Sequence, residues 1–235
     1  MKFKNTEVWG FEHALRGMRN PKNSWYKSDS NYGMDYDDYV IGQNDMKLAQ
    51  TLIRSGSEHR KFIRQIFVSV DITAPLYWWK EFDQYKISIT TNSTSTMHKL
   101  DITPIAKDCF EIDEYEKTLQ CEQIVDCEYA TLRPIEDYIE HTIRTLEMLR
   151  QKYLKTKDKR YWKELIRWLP ESWLQTRTVT MTYENLFAMC SKGRRRLHKL
   201  NEWSGQDNPN VPNFISWART LPYAQEFVFI DELEE

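Results

Sequence analysis

Residues 73–98 join a Trp-rich apolar segment to a run of hydroxyl side chains, and this junction constrains the fold more than any other stretch. Seven of the nine residues from 88 to 96 are Ser or Thr. Hydroxyl groups are costly to bury unless each finds a hydrogen-bond partner. Two structures therefore compete for residues 88–96. One is a loop that binds a phosphate, a ribose or a pyrimidine edge; the other, which composition alone favours, is an exposed polar turn or edge strand.

The spacing of apolar residues predicts a chain of both helices and strands. Alternation at Ile66, Val68 and Val70 predicts a strand, and Pro75 favours the first turn of a helix after it. The clearest helix begins at Pro134 and continues to residue 154. Weaker patterns predict helices at residues 44–54, 161–168, 183–203 and 214–218, and a strand at residues 175–182.

The remaining segments and the length complete a prediction of fold class. Residues 1–42 are rich in turn signals and aromatic side chains, and we expect an irregular N-terminal arm there. No internal repeat or linker interrupts the 235 residues. The sequence therefore predicts a single α+β domain over residues 1–235.

Composition limits the classes of protein to which the chain can belong. The net charge of −2 argues against nucleic acid as a partner, and no apolar run reaches the length of a membrane span. The seven glycines form neither GxGxxG nor a P-loop, and the histidines show no zinc-ligand spacing, so we expect no metal site. The N-terminus has no apolar segment typical of a signal peptide. We expect a cytoplasmic protein with reduced thiols at its four cysteines, Cys109, Cys121, Cys127 and Cys190.

A basic cluster at residues 194–199 is the second candidate for ligand binding. On a helix, Arg194 and His198 stand four residues apart and share one face. A guanidinium suits two-point contact with a phosphate or a carbonyl edge. A solvated basic face and an RNA- or DNA-binding patch are the alternatives. Arg60, Lys61 and Arg64, which precede the predicted strand, could similarly meet an anionic cofactor.

Several segments together follow, in order, the signature of one enzyme family. The matching residues are Gly56-Ser57-Glu58-His59, Ala74-Pro75 with Trp78 and Trp79, Gln84-Tyr85-Lys86, residues 92–98, Leu169-Pro170, and Arg194 with His198. Over residues 43–203 the chain resembles the flavin-dependent thymidylate synthases. The resemblance implies a curved, mostly antiparallel sheet packed with helices, assembled as a homotetramer with shared active sites.

The resemblance also implies a reaction. The family uses FAD, methylenetetrahydrofolate and NADPH to transfer one carbon to C5 of dUMP, so a pyrimidine deoxynucleotide is the expected substrate. Because the cofactors carry the difficult chemistry, the protein needs no nucleophile of its own. A related pyrimidine nucleotide is an alternative substrate for the same reaction.

By the same resemblance, site residues can be assigned position by position. Nucleotide contacts are implied for Asn92, Ser93, Ser95, Arg167 and Arg194, of which Ser95 and Arg194 would act at the catalytic centre. Cofactor contacts are implied for Arg64, Gln84, Tyr85, Lys86, Asn185 and His198.

The chain departs from the family pattern at several of these positions. Gln84-Tyr85-Lys86 stands where the family has an Arg-His-Arg triplet that contacts the flavin. Ser93 replaces a Glu of the nucleotide loop, and Met97 replaces an Arg. These changes leave open a second function, a pyrimidine-nucleotide-binding protein on the same scaffold without redox activity.

Overall fold

The computed structural model describes residues 1–34, 39–85, 87–112, 118–126, 129–193 and 198–234. These residues divide into two compact units. Unit 1 contains Met1–Thr73, Lys80–Asn92 and Arg177–Glu235, and unit 2 contains Ala74–Trp79 and Ser93–Thr176.

The chain combines strands and helices, which confirms the α+β class predicted from the sequence. The strands are β1 (Lys2–Trp9), β2 (Asn31–Tyr32), β3 (Tyr39–Val40), β4 (Phe67–Pro75), β5 (Thr90–Ser93), β6 (Gln120–Asp126), β7 (Tyr129–Pro134) and β8 (Leu174–Thr182). The α-helices are α1 (Phe11–Arg19), α2 (Gln43–Arg54), α3 (Leu76–Phe82), α4 (Thr96–Ile102), α5 (Ile135–Thr156), α6 (Lys159–Arg167), α7 (Tyr183–Met189), α8 (Asn201–Ser204), α9 (Phe214–Arg219) and α10 (Ala224–Phe227). Along the described residues, no helix is both long and apolar enough to span a bilayer.

A four-stranded sheet with the order β1-β4-β8-β5 organises unit 1. Strands β1 and β4 pair antiparallel, from Lys2 opposite Thr73 to Trp9 opposite Phe67. Alternate residues of β4 are fully buried, which confirms the predicted alternation. Burial of one face fixes the register because a shift of one residue would expose every apolar side chain on it.

A buried ion pair holds the N-terminal segment of unit 1 in place. The carboxylate of Asp45 in α2 accepts a hydrogen bond from Arg19 at 2.5 Å and bonds from the hydroxyls of Ser28 and Ser30, each at 2.6 Å. A buried charge is tolerated when it is paired and hydrogen-bonded in this way. The carboxylate of Asp29 accepts the backbone N–H of Asp45 and so caps the start of α2.

Unit 2 has its own apolar core. Its buried members are Leu100, Ile105, Cys109, Phe110, Leu146, Leu165 and Trp173. The long helix α5 and the following α6 contribute to this core. The two strands that precede α5 in the sequence, β6 and β7, form an antiparallel pair. The guanidinium of Arg150 is buried and donates to the carbonyl of Leu100 at 2.6 Å, which ties α4 to α5.

The irregular arm predicted for residues 1–42 is wrong for much of its length, because β1 and α1 lie within it. The sequence of β1 is mostly polar, and its strand form depends on pairing with β4 and on stacking of Phe3 against Trp217, with ring centroids 5.0 Å apart. Tertiary contacts of this kind override local propensity.

The single helix predicted for residues 183–203 is also wrong. Helix α7 ends at Met189, residues 192 and 193 are helical again after a break at residues 190–191, and α8 begins at Asn201. The indole N–H of the buried Trp203 donates to the Met189 carbonyl at 3.2 Å, and this bond satisfies a backbone acceptor at the end of α7. Residues 194–197 lie outside the described residues.

Part of the hydroxyl-rich segment is an exposed edge strand, and its role in nucleotide binding stays a prediction. Thr90–Ser93 forms β5 at the end of the sheet order, and all four of its side chains are exposed. The hydroxyl of Thr94 and the carbonyl of Thr176 are 3.2 Å apart, so neighbouring hydroxyls find partners at the sheet edge. Whether the chain is one domain stays a prediction.

Candidate functional site

A cavity of about 430 Å³ in unit 1 gathers residues that are distant in sequence. We call it the arginine cavity. It is lined by Arg64, Gln84, Tyr85, Ile87, Ser88, Thr182, Glu184, Asn185 and Ala188. Four of the residues predicted for cofactor binding, Arg64, Gln84, Tyr85 and Asn185, therefore lie on one surface.

Two arginines and one glutamate set the electrostatics of this cavity. The carboxylate of Glu184 accepts hydrogen bonds from Arg60 Nε at 3.0 and 3.2 Å, and Arg64 Nη2 lies 3.9 Å from it. The Arg60 guanidinium is also stacked on the Phe187 ring, 4.4 Å from its centroid. Two positive charges against one negative charge leave an excess that favours an anionic ligand, and Arg64 is 54% exposed.

Asn185 fixes the wall of the cavity at the start of α7. Its Oδ1 accepts the backbone N–H of Thr182 at 2.9 Å, and Thr182 Oγ1 accepts the Asn185 backbone N–H, forming a capping box. Its Nδ2 donates to the Ile87 carbonyl at 2.8 Å. Asn185 therefore positions the segment at residues 87–88 as much as it presents a polar group to a ligand.

The segment that Asn185 holds carries two unusual features. Ser88 has a positive φ of 64°, a conformation that costs a non-glycine residue about 1–2 kcal/mol. The side chain of Ile87 is 86% exposed at the cavity wall. Strain and an exposed apolar side chain in one place are common where a ligand binds.

His198 is connected to the cavity through a stack of rings and does not line it. Its imidazole lies parallel to the Trp203 indole, with centroids 4.7 Å apart, and Trp203 contacts Tyr85 at 5.6 Å. His198 Nδ1 accepts the Leu200 N–H at 3.2 Å, and Nε2 lies 3.5 Å from Glu81 Oε1. Since Nδ1 is an acceptor, the hydrogen-bonding pattern favours a proton on Nε2.

The structure describes only some of the residues predicted for nucleotide binding. Asn92 and Ser93 are exposed on β5. Ser95 Oγ accepts the His98 N–H at 3.4 Å at the start of α4. Arg167 ends α6 and pairs with Glu164 at 2.6 Å. Lys86 and Arg194 lie outside the described residues, as does the side chain of Met97.

The sequence indicated part of the cavity and missed the rest. Glu184, Ile87 and Ser88 were not predicted, although Thr182-Tyr183-Glu184-Asn185 carries a helix-start pattern that places Glu184 in the first turn. The contribution of Trp203 could not be inferred because it depends on the break between α7 and α8. In the part of the chain that the structure describes, no group of acidic, His and Cys side chains is arranged to hold a metal ion. The buried thiols of Cys109 and Cys190 form no disulfide.

Comparison with known proteins supports the fold. No protein-family profile and no curated protein matches the chain. Two structures of the flavin-dependent thymidylate synthase ThyX from Helicobacter pylori, both with FAD and dUMP, match at 13% identity. One has a TM-score of 0.63 and covers 98% of this chain and 99% of its own. The other has a TM-score of 0.64 and covers 100% of both chains.

A more distant structural neighbour is the UMP/dUMP methylase PolB from Streptomyces cacaoi bound with 5-Br dUMP. It has a TM-score of 0.47 and 15% identity over 79% of this chain and 75% of that one. The ThyX matches extend over the whole length of both chains, so this chain has a ThyX-like fold. The resemblance predicted from the sequence is confirmed at the level of the fold.

Proposed function

We propose that the chain catalyses one-carbon transfer to C5 of dUMP or a related pyrimidine deoxynucleotide, with FAD and methylenetetrahydrofolate. NADPH is the proposed reductant, and a homotetramer with shared active sites is the proposed assembly. The observation that carries the proposal is that Arg64, Gln84, Tyr85 and Asn185, assigned by resemblance alone, line one cavity in a ThyX-like fold.

The residues of the arginine cavity fit a flavin. Arg64 provides a partly exposed positive charge for the anionic part of the cofactor, and the exposed Ile87 provides an apolar surface for a ring system. The volume of about 430 Å³ falls in the range of small-molecule sites. When bound, reduced FAD would supply hydride and methylenetetrahydrofolate would supply the carbon.

The chain itself would bind and orient the cofactors and the nucleotide, and it would exclude water. Asn185 holds residues 87–88 through the Ile87 carbonyl, so the apolar wall stays in position. The Trp203 ring between Tyr85 and His198 gives the same wall a rigid support. Among the predicted nucleotide contacts, Ser95 and Arg194 remain the proposed catalytic residues, with Asn92, Ser93 and Arg167 as further contacts.

Release of tritium from dUMP labelled at C5 tests the reaction, because substitution at C5 displaces that hydrogen. The purified full-length chain is incubated with FAD, methylenetetrahydrofolate and NADPH, and each component is omitted in turn. We expect release that requires all three. Release that persists without FAD, or an absence of release when the protein binds both FAD and dUMP, would overturn the proposal.

Arg194 provides a separate test of the nucleotide contacts. Because a hydrogen bond to a charged group contributes about 1.5–3 kcal/mol, Arg194→Ala should weaken dUMP binding by that amount. Calorimetry measures the affinity, and circular dichroism confirms that the variant folds. Unchanged affinity in a folded variant shows that Arg194 does not bind the nucleotide.

One observation favours the second candidate, a pyrimidine-nucleotide-binding protein without redox activity. Glu184 pairs with both Arg60 and Arg64 and so offsets part of the positive charge, while Gln84 and Tyr85 are neutral. This function predicts saturable binding of dUMP or dTMP, no FAD uptake and no tritium release. Those three results together would select it over the enzyme.

A further inference from the structure

A second cavity in unit 1, of about 700 Å³, is lined mainly by aromatic side chains. We call it the aromatic cavity. It lies where β1 ends and α1 begins, and β2, β3 and the residues before α10 complete it. Its important side chains are Trp9, Glu12, Tyr32, Tyr39 and Tyr223.

The aromatic rings that line the cavity are packed against neighbouring rings and remain partly exposed. Tyr32 and Tyr39 meet at 80° with centroids 5.2 Å apart. Trp9 is stacked on Phe67 at 5.7 Å, and its indole is 44% exposed. Electron-rich faces placed around a space attract a cation through the ring quadrupole.

A carboxylate is fixed among these rings. Glu12, in the first turn of α1, accepts a hydrogen bond from the Tyr32 hydroxyl at 3.1 Å. Across the described residues, no basic side chain forms an ion pair with Glu12. The hydrogen bond to Glu12 raises the pKa of Tyr32, and burial raises the pKa of Tyr39, with the charges of Asp45 and Glu12 adding to the shift. The charge of Glu12 contributes to the rise in both pKa values.

The backbone around the cavity is fixed by specific contacts. The Tyr223 hydroxyl accepts the Ile41 N–H at 3.0 Å and donates to the Tyr39 carbonyl at 3.1 Å. Tyr223 itself has a positive φ of 54°. Gly10, between the two elements, has a φ of 98°, and a β-carbon there would overlap the Gln65 carbonyl oxygen. A rigid wall loses little entropy when a ligand binds.

Among the described residues, the basic groups that follow Glu12 on α1 form no ion pair with it. His13 also lines the cavity, and its Nδ1 is 3.2 Å from Arg16 Nη2, so these two side chains interact with each other. The sequence between β2 and β3 includes Asp35, Asp37 and Asp38, which lie outside the described residues.

We propose that the aromatic cavity binds a small organic cation with an alkylated ammonium group, by cation–π contacts with Trp9, Tyr32 and Tyr39 and by charge pairing with Glu12. The volume accommodates a trimethylammonium group with its substituent. This site is independent of the proposed function, because none of its residues belongs to the arginine cavity or to the predicted nucleotide contacts.

Calorimetric titration of the full-length chain with choline, and with its neutral isostere 3,3-dimethylbutan-1-ol, tests the proposal. The two probes have nearly the same shape and differ in charge. We expect saturable choline binding that is about tenfold tighter than binding of the isostere, as cation–π and charge contacts predict. Glu12→Gln keeps the shape of the side chain and should reduce choline affinity about five- to tenfold.

Two tryptophan variants complete the experiment. Trp9→Leu should weaken choline binding about fivefold or more, whereas Trp168→Leu, which alters another exposed indole in unit 2, should leave it unchanged. Equal affinity for the two probes, no saturation below about 100 mM choline, or an unchanged affinity in folded Glu12→Gln would each overturn the proposal. If Trp9→Leu does not fold, Glu12→Gln and the neutral isostere still decide the question.

Discussion

The arginine cavity and the aromatic cavity lie in the same unit but are built from opposite chemistry. The first presents the guanidinium of Arg64 beside the carboxylate of Glu184, which also pairs with Arg60, and the second presents aromatic side chains around the carboxylate of Glu12. The first therefore suits an anion and the second a cation. A single fold can therefore carry sites of opposite preference when different loops supply their walls.

The two cavities also differ in how they are held. A capping box and one amide hydrogen bond of Asn185 position the arginine cavity. The buried Asp45 network and the left-handed Gly10 position the strands and the helix around the aromatic cavity. Substitution of Asn185 should therefore weaken ligand binding in the arginine cavity alone, and substitution of Asp45 or Gly10 should weaken it in the aromatic cavity alone.

The largest effect is expected at Asp45. Asp45→Asn leaves the buried guanidinium of Arg19 without its counter-charge, and loss of one partner of a buried ion pair costs about 3–5 kcal/mol. Because Asn keeps one acceptor oxygen in place of two, the hydrogen bonds that hold Ser28 and Ser30 should weaken, and choline binding in the aromatic cavity should weaken with them. Urea unfolding measures the stability. A loss below about 1 kcal/mol would contradict the assigned role.

The pH dependence of stability gives a second test of Asp45. Burial alone would raise the pKa of Asp45, but hydrogen bonds from Ser28, Ser30 and Arg19, with the charge of Arg19, lower it below the ordinary 3.8. Its contribution is therefore fully present above about pH 4 and is lost as the pH falls through the lower pKa of the folded state. The stability of Asp45→Asn should fall less steeply than that of the wild type below pH 4. If the stabilities of the two proteins fall equally steeply with pH, the hydrogen bonds to Asp45 do not lower its pKa.

Gly10→Ala should destabilise the aromatic cavity more than Gly56→Ala destabilises the turn after α2. Both glycines have φ near 100°, but only at Gly10 would a β-carbon overlap a carbonyl oxygen, whereas nothing lies within 4 Å at Gly56. We expect about 3 kcal/mol or more for Gly10→Ala and about 1–2 kcal/mol for Gly56→Ala. Thermal unfolding measures both. Equal losses of stability in the two variants would mean that the backbone moves away from Gln65 at no cost in free energy.

Asn185→Ala should affect the arginine cavity in two ways. Loss of the capping box should cost about 1–2 kcal/mol of stability, and loss of the bond to Ile87 should reduce FAD affinity. Asn213→Ala is the matched control, because Asn213 caps α9 by accepting the Ser216 N–H at 2.8 Å. The control should lose similar stability and keep its FAD affinity. Reduced FAD affinity in both variants would assign the effect to stability alone.

The sequence predicted the local helices and strands better than the long-range contacts that hold the two cavities. The strand at Val68 and the helix after Pro134 follow from period and turn chemistry, and both are present. The residues predicted for cofactor binding that meet in the arginine cavity were found from motif order. By contrast, Glu184 depends on a salt bridge to Arg60, 124 residues away, and no local pattern encodes such a distance.

The aromatic cavity was not predicted, because its residues are also distant from one another in the sequence. Trp9 and Tyr223 come from opposite ends of the chain, and residues 1–42 were predicted to be irregular. The strand β1 forms because β4 supplies its hydrogen-bond partners, and the turn after it requires glycine at position 10 because Gln65 leaves no room for a side chain. These causes are tertiary, so they could not be predicted from composition or periodicity.

The proposed function depends most on the identity of the arginine cavity as the flavin site. Titration of the purified chain with FAD, followed by flavin fluorescence, tests this for the wild type, Arg64→Ala and Arg144→Ala. Arg144 is an exposed arginine on α5 that pairs with Glu140 and serves as the charge-matched control. We predict saturable FAD binding that Arg64→Ala weakens about five- to tenfold and Arg144→Ala leaves unchanged. Absence of FAD binding, or equal affinity in all three proteins, would contradict the account.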